Sequence, residues 1–379
     1  MSQVIIYLKW MRYLIDVTLR DKVYVVLNVD ETSLNSLVES NGGYVCDVLR
    51  DGGQCAKKPL PKKNRANAKT TLVGVVADQG ALQPYLPQVI MPKYTQKASP
   101  PAWLRASYAQ QGFPLQYWHG TSGTSTPQTF IRWLSVVRSA VHSFNEDIWI
   151  LLIMDCHSTH LDLRVLRHLG RLGILTVIVP AKLTWLLQPL DVYVYADLKR
   201  ELRQHLAEAT LNSSEDQVER GSWITPTATA IRSVLVRTDW SKQFDRLGAG
   251  LDIEAMRGEV ASFVAGAVIS PALPKSTELA QILHRRPETG GTKRLHAALT
   301  SPAIRVRDLP GDAKPPRGAY SHLPVMPASM KRRKMNEEPD VPLDVQIREY
   351  LVRHSSAVPL GGIVGPEARQ ITFEASRAG

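Results

Sequence analysis

The sequence predicts an α/β domain with a mixed sheet flanked by helices. Three observations carry this expectation. Residues 23–29 are a β-branched and aromatic strand run, 148–154 is a continuous apolar run as of a central strand buried on both faces, and 174–179 reads as another buried strand. An amphipathic stripe between them has helical spacing. The order along the chain is strand, strand, helix, strand, helix, strand, helix, which sets helices against the faces of one sheet and ligands at its strand ends.

Residues 1–21 are partly apolar, but Lys9, Arg12 and Asp16 interrupt them, so they fail as a membrane span. No small-residue cleavage site follows, and the segment reads as an N-terminal extension. The strand over 23–29 runs straight into Asp30. A glycine-marked stretch follows, then Lys57, Lys58, Lys62, Lys63, Arg65 and Lys69 among prolines and asparagines, which reads as a loop or extended ribbon. A second strand covers 72–77, with a turn at 78–80. Residues 84–125 give no clear periodicity.

Helical spacing begins at Pro127, with Thr126 as N-cap and Phe130, Leu134, Val137, Val141 and Phe144 on one face. The run 148–154 ends at Asp155. Residues 162–172 read as a helix and 174–179 as a strand closed by Pro180. A last helix follows Asp191, with Tyr195, Leu198, Leu202 and Leu206 as its apolar stripe and Lys199, Arg200 and Arg203 outside. The resulting division is an extension over 1–21, an α/β domain over 22–210, a helical extension over 211–271 and a Pro- and basic-rich tail over 272–379, disordered by composition.

The 46 Lys and Arg against 35 Asp and Glu leave a net charge of +11, which favours a polyanionic partner such as nucleic acid. The three cysteines, Cys46, Cys55 and Cys156, form no CxxC pair, which argues against a zinc knuckle or a disulfide framework and fits a reducing compartment. A soluble intracellular protein is expected.

The chemistry concentrates on three aspartates. Asp30 and Asp155 follow two of the strongest strands, and Asp191 opens a helix after Pro189. Singly, such residues are turn or cap residues. As a set on one sheet they can converge, and their repulsion then calls for a cation. All-oxygen ligands favour Mg²⁺ or Mn²⁺ over zinc, the ions of in-line phosphodiester chemistry.

The segments Asn28-Val29-Asp30-Glu31-Thr32-Ser33, Ile153-Met154-Asp155-Cys156-His157-Ser158-Thr159-His160 and Leu186-Leu187-Gln188-Pro189-Leu190-Asp191 resemble the three catalytic blocks of the pogo/Tigger/jerky-type transposases of the Tc1/mariner superfamily, described as the DDE superfamily endonuclease domain. Pro180 and Thr184 occupy positions expected before the last block. The likeness runs over about residues 22–208, with Trp240, Phe244 and Gly248 echoing a weaker motif. Cys156 stands where asparagine is common.

The resemblance implies an RNase H-like fold, a DNA endonuclease and strand transferase, and Asp30, Asp155 and Asp191 as metal-binding catalytic residues. It implies His160 and Gln188 as supporting residues behind them, with Mg²⁺ or Mn²⁺ as cofactor. DNA is the expected partner, held in part by the basic 57–69 stretch, and a homo-oligomer is possible within this reading. Lys331-Arg332-Arg333-Lys334 suggests the nucleus. Glu31, beside Asp30, is expected to face the opposite side and act locally, and Cys156 to pack rather than react. The 29 residues ahead of Asp30 are too few for the family's helix-turn-helix module, so the alternative is a truncated or domesticated, inactive DNA- or chromatin-binding protein.

Overall fold

The computed structural model describes residues 2–34, 44–46, 57–59, 70–92, 115–118, 125–143, 145, 147–212, 224–250, 253–287 and 289–300. Its centre is a six-stranded mixed sheet built from β1 (Tyr24–Ser33), β4 (Thr70–Ala77), β5 (Gln88–Pro92), β6 (Leu115–Tyr117), β7 (Trp149–Met154) and β8 (Ile174–Ile178) in the order β6-β5-β4-β1-β7-β8. β2 (Tyr44–Cys46) and β3 (Lys57–Pro59) form a separate antiparallel ribbon.

β4 runs antiparallel to both β1 and β5, while β7 is parallel to β1 and β8 to β7. β6 is also parallel to β5; α2 (Pro127–His142) leads from β6 into β7, and α3 (Leu163–Arg171) carries the crossover from β7 to β8. This is the arrangement expected of an RNase H-like sheet. β1, β7 and β8 are buried along nearly their whole length, which is why 23–27, 149–154 and 174–178 are largely apolar rather than alternating.

The helix starts follow local chemistry. Thr126 accepts from the Thr129 amide while the Thr129 side chain accepts from the Thr126 amide, a reciprocal cap with Pro127 in the first turn. Phe130, Leu134, Val137 and Val141 are buried on one face of α2, as their spacing requires. Asp162 caps α3 by accepting from the Arg164 amide.

β5 pairs with β4 only as far as Val73 opposite Val89. Beyond it two buried glutamines replace a strand. Gln88 accepts from the Val75 amide and donates to its carbonyl, and Gln83 accepts from the Ala77 amide. The edge of β4 is thereby satisfied without a ladder.

The structure corrects three expectations. Asp30 lies inside β1, which continues to Ser33 because β4 still offers ladder partners, Glu31 facing Val73 and Ser33 facing Thr71. The segment before β1 is part of the core. α1 (Ser2–Arg12) buries Val4, Tyr7, Leu8, Trp10 and Met11, three- and four-residue spacing that its interrupting charges obscure. Arg12 pairs with Asp16 one turn on, and the Ala272 amide donates to the Lys9 carbonyl.

The tail expected from 272 is ordered over its first part. After α4 (Thr184–Leu187), α5 (Tyr195–Asn212), α6 (Ile224–Ile231), α7 (Ser241–Arg246) and α8 (Gly258–Val264), two more helices follow, α9 (Ser276–Ile282) and α10 (Gly290–Thr300). They bury Leu279, Ile282, Leu283, Leu295 and Leu299. Averaged composition over a hundred residues concealed two short amphipathic helices. Phe144, Cys55 and the 331–334 run lie outside the described residues. Among the described residues no helix is long and apolar enough to cross a membrane.

Candidate active site

Asn28 organises the ground on which the aspartates stand. It lies two residues before Asp30 and so shares its face of β1. Its side chain is fully buried and reaches two other elements. Nδ2 donates to the Ile153 carbonyl of β7 at 3.2 Å, and Oδ1 accepts from the Leu190 amide at 2.9 Å. Leu190 opens a π-helical turn, Leu190–Val194, whose first residues include Asp191 and which continues into α5. One amide therefore ties together β1 with Asp30, β7 with Asp155 at its end, and the turn with Asp191.

A second tie lies beside the first. The Tyr195 hydroxyl donates to the Asp30 carbonyl at 2.6 Å. Gly74 faces Asp30 across the β1–β4 ladder, and a Cβ there would lie 2.9 Å from Tyr195 Oη. The glycine leaves room for the phenol, and the phenol seats α5 against β1.

Asp155 is held from the other side. Its Oδ1 accepts from the His157 amide at 2.9 Å and meets His160 Nδ1 at 2.5 Å. His160 Nε2 lies 3.5 Å from Glu31 Oε2, an ion-pair contact rather than a hydrogen bond. Phe130 of α2 covers the imidazole, ring centres 4.5 Å apart. Glu31 faces away from Asp30 along β1, as alternation requires, and serves this histidine.

The charges divide the acids into two kinds. Burial works against the charged form of His160, yet its hydrogen bond to Asp155 and the attraction of Glu31 outweigh that and raise it to about 10. The histidine is thus an imidazolium clamped between two carboxylates. Burial alone would raise Asp155 and Glu31, but His160 holds both below the ordinary carboxylate range. Asp30 is the opposite case. Burial first, then the charges of Asp191, Glu31 and Asp155, push it well above that range. Asp191 is exposed to solvent.

Among the described residues no group of three His, Cys, Asp or Glu side chains closes to metal-coordinating geometry. The donor set nonetheless fits a hard divalent cation. Asp30 feels Asp191 and Asp155 as repelling neighbours, and carboxylates that repel this way do not close on a point without a cation. Asp155 spends only Oδ1 on His157 and His160, so Oδ2 has no hydrogen bond among the described residues.

The remaining expected site residues are placed less simply. Gln188 is fully buried, and neither amide atom has a hydrogen-bond partner among the described residues. Its backbone carbonyl accepts from the Val192 amide. Burial, then the charge of Asp155, pushes the Cys156 thiol up, which suits a packed residue and not a nucleophile. Lys57 and Lys58 lie on β3, and Lys62, Lys63, Arg65 and Lys69 lie outside the described residues.

Residues 68–241 match the family model of the DDE superfamily endonuclease. The match covers a little under half of the chain. It runs from just before β4 to the start of α7, taking in Asp155, His160, Gln188 and Asp191 and leaving Asp30 outside. Among solved structures, a Mos1 transposase paired-end complex with left transposon end is similar at 13% identity and a TM-score of 0.32, covering 66% of this chain and 64% of that one. The chain thus spans under two thirds of that neighbour. No curated protein matches significantly.

Two parts of the site escaped the sequence reading. Asn28 was legible in principle, since its i, i+2 relation to Asp30 sets both on one face. The Tyr195–Gly74 pair carried no such sign, because their meeting depends on a crossing that only the fold provides.

Proposed function

We propose that the chain is a transposase-derived DDE-type endonuclease and strand transferase acting on DNA, with Asp30, Asp155 and Asp191 as the residues that hold Mg²⁺ or Mn²⁺. The observation that carries this reading is the Asn28 bridge, which joins the three segments bearing these aspartates. The match of 68–241 to the DDE superfamily endonuclease model supports the same chemistry. Bound ions would activate the attacking hydroxyl or water and stabilise the leaving oxygen.

The chain's own residues prepare for this. Asp30 is buried and pressed by its neighbours, so positive charge brought to the site relieves it. Asp155 is kept ionised and oriented by His160, the role of a carboxylate-holding partner behind a metal ligand. The Asp191 turn is pinned at Leu190. Further parts of this proposal are a place among the pogo/Tigger/jerky type, resting on residues 186–191, a nuclear location, resting on 331–334, and self-association on paired DNA ends.

Incubation of the full chain with supercoiled plasmid in Mg²⁺ or Mn²⁺ tests the reading. Nicking that chelation abolishes and that Asp155→Asn and Asp191→Asn remove supports it. DNA binding without metal-dependent nicking would assign the chain instead to non-catalytic DNA binding.

A further inference from the structure

β8 runs parallel to β7 and the Val179 amide donates to the Met154 carbonyl, so the loop after β8 leaves the sheet at the edge where Asp155 stands. Among the described residues two non-glycine positions have left-handed backbone, Lys182 at φ 66° and His284 at φ 49°. Side chains rarely accept that conformation without a tertiary cause. Both lie in loops that meet. The Ala181 amide donates to the Ile282 carbonyl at 3.1 Å, joining the loop before α4 to the end of α9.

Each loop presents exposed basic groups, Lys182 on one and Arg285 with Arg286 on the other. Arg285 stands three positions after Ile282, whose carbonyl accepts from the Ala181 amide, so its loop is tied to the one that leaves β8 beside Asp155. The Arg285 amide donates to the Ala280 carbonyl, which fixes where the loop turns out of α9.

Trp185 completes the rim. It sits six positions before Asp191 on the single turn of α4. Of the tryptophans whose burial is described it alone is exposed, at 52%. Its indole Nε1 donates to the Lys182 carbonyl at 3.0 Å. That bond has two consequences. It orients the ring on the strained loop, and it uses the only polar group of the indole, leaving a ring face for contact. An oriented aromatic face next to Lys182, on a loop tied to the one that carries Arg285 and Arg286, suits a nucleotide, whose base stacks and whose phosphates pair.

We propose that Lys182, Trp185, Arg285 and Arg286 form a strand-guiding rim, on which an unpaired nucleotide next to the scissile phosphate stacks on Trp185 while its backbone phosphates meet the three cations. This rests on the reading of the aspartate site as one that acts on DNA. A divalent cation held by the neighbouring aspartates would favour DNA over an acidic protein partner, since a strand running from rim to site would bring a phosphodiester to that cation as well as phosphates to the rim.

The probe is a hairpin duplex with a short 3′ overhang carrying 2-aminopurine at its junction, titrated against the full chain in Ca²⁺ so that binding is read without cleavage. The rim predicts 2-aminopurine quenching that Trp185→Ala abolishes and Trp185→Phe restores. Trp185→Ala should weaken overhang binding about tenfold and leave blunt-duplex binding within about twofold. The triple variant Lys182→Ala, Arg285→Ala, Arg286→Ala should lower the slope of log affinity against log salt by about two to three. All these side chains are exposed, and unchanged melting temperatures will confirm folding. Quenching that survives Trp185→Ala, an unchanged salt slope, or equal binding of polyglutamate overturns the rim. Failure of metal-dependent nicking alone overturns the aspartate reading and leaves these binding results standing.

Discussion

The Asn28 side-chain oxygen accepts the Leu190 amide at 2.9 Å across a sequence separation of 162 residues, one position before Asp191. That bond and the Asn28 contact to Ile153 set the geometry of all three aspartate-bearing segments. Asn28→Ala leaves the Leu190 amide and Ile153 carbonyl buried with fewer partners, so a loss of about 1–3 kcal/mol is expected in denaturant unfolding. Nicking should fall further than stability does. Asn28→Asp keeps an acceptor for Leu190 but loses the donor to Ile153 and buries a further carboxylate near Asp30, so at neutral pH it should be no more stable than Asn28→Ala. A variant as stable and active as the parent would remove this role.

Gly74 and Tyr195 should prove energetically coupled. Gly74→Ala forces a methyl to within 2.9 Å of the tyrosine hydroxyl, and Tyr195→Phe gives up the bond to the Asp30 carbonyl, about 1 kcal/mol. The double variant relieves the clash, so its loss should be smaller than the sum of the single losses by about 0.5–3 kcal/mol. Strict additivity in a double-mutant cycle would show that the two do not touch in solution.

His160 bears on stability as well as on the site. His160→Phe removes the cation between two carboxylates and leaves both in a largely buried setting. Loss of one member of a buried pair costs about 3–5 kcal/mol, and the partial exposure of Asp155 places the expected cost near the lower end. Chemical denaturation measures it. Added Mn²⁺ should return part of the loss by supplying a replacement charge.

Asp78 sets a pH dependence away from the site. Its carboxylate accepts from the Val26 amide at 2.9 Å, and burial pushes it from 3.8 up to about 7. The unfolded chain releases this proton near the ordinary value while the folded chain keeps it. The contribution is therefore full below about 4, is lost as pH rises, and is gone above about 7, on the order of 4 kcal/mol in all. Asp78→Asn keeps the acceptor for Val26 and removes the titration. Unfolding free energies at pH 4.5 and 7.5 should then differ less in the variant than in the parent; an identical difference would exclude Asp78 as the source.

Much of the sheet was legible in the sequence, for a physical reason. Strands buried on both faces are largely apolar, so 23–29, 148–154 and 174–179 announced themselves despite Asn28 and Thr176, and the capped start at Thr126 marked α2. Where Asp30 sits within β1 was not legible, because the strand's continuation depends on ladder partners in β4 that no local pattern reveals. Core helix α1 was hidden because its charges read as breaks in a membrane span and not as the edge of an amphipathic stripe. Helices α9 and α10 were masked by the Pro- and basic-rich composition of the residues after them. At the site, the aspartates and His160 were visible as residues in blocks. The Glu31–His160–Asp155 chain of charge and the Asn28 bridge are products of register, and register is a property of the fold.

The most direct test of the account is the binding of Mn²⁺ to the full chain, followed by calorimetry in the parent and in Asp30→Asn, Asp155→Asn and Asp191→Asn. If the three aspartates share a cation site, each variant should weaken Mn²⁺ binding at least about tenfold, with the same stoichiometry lost in all three and a melting temperature raised by Mn²⁺ only in the parent. Mn²⁺ binding that persists unchanged in all three variants, or its absence from the folded parent, would contradict the central claim.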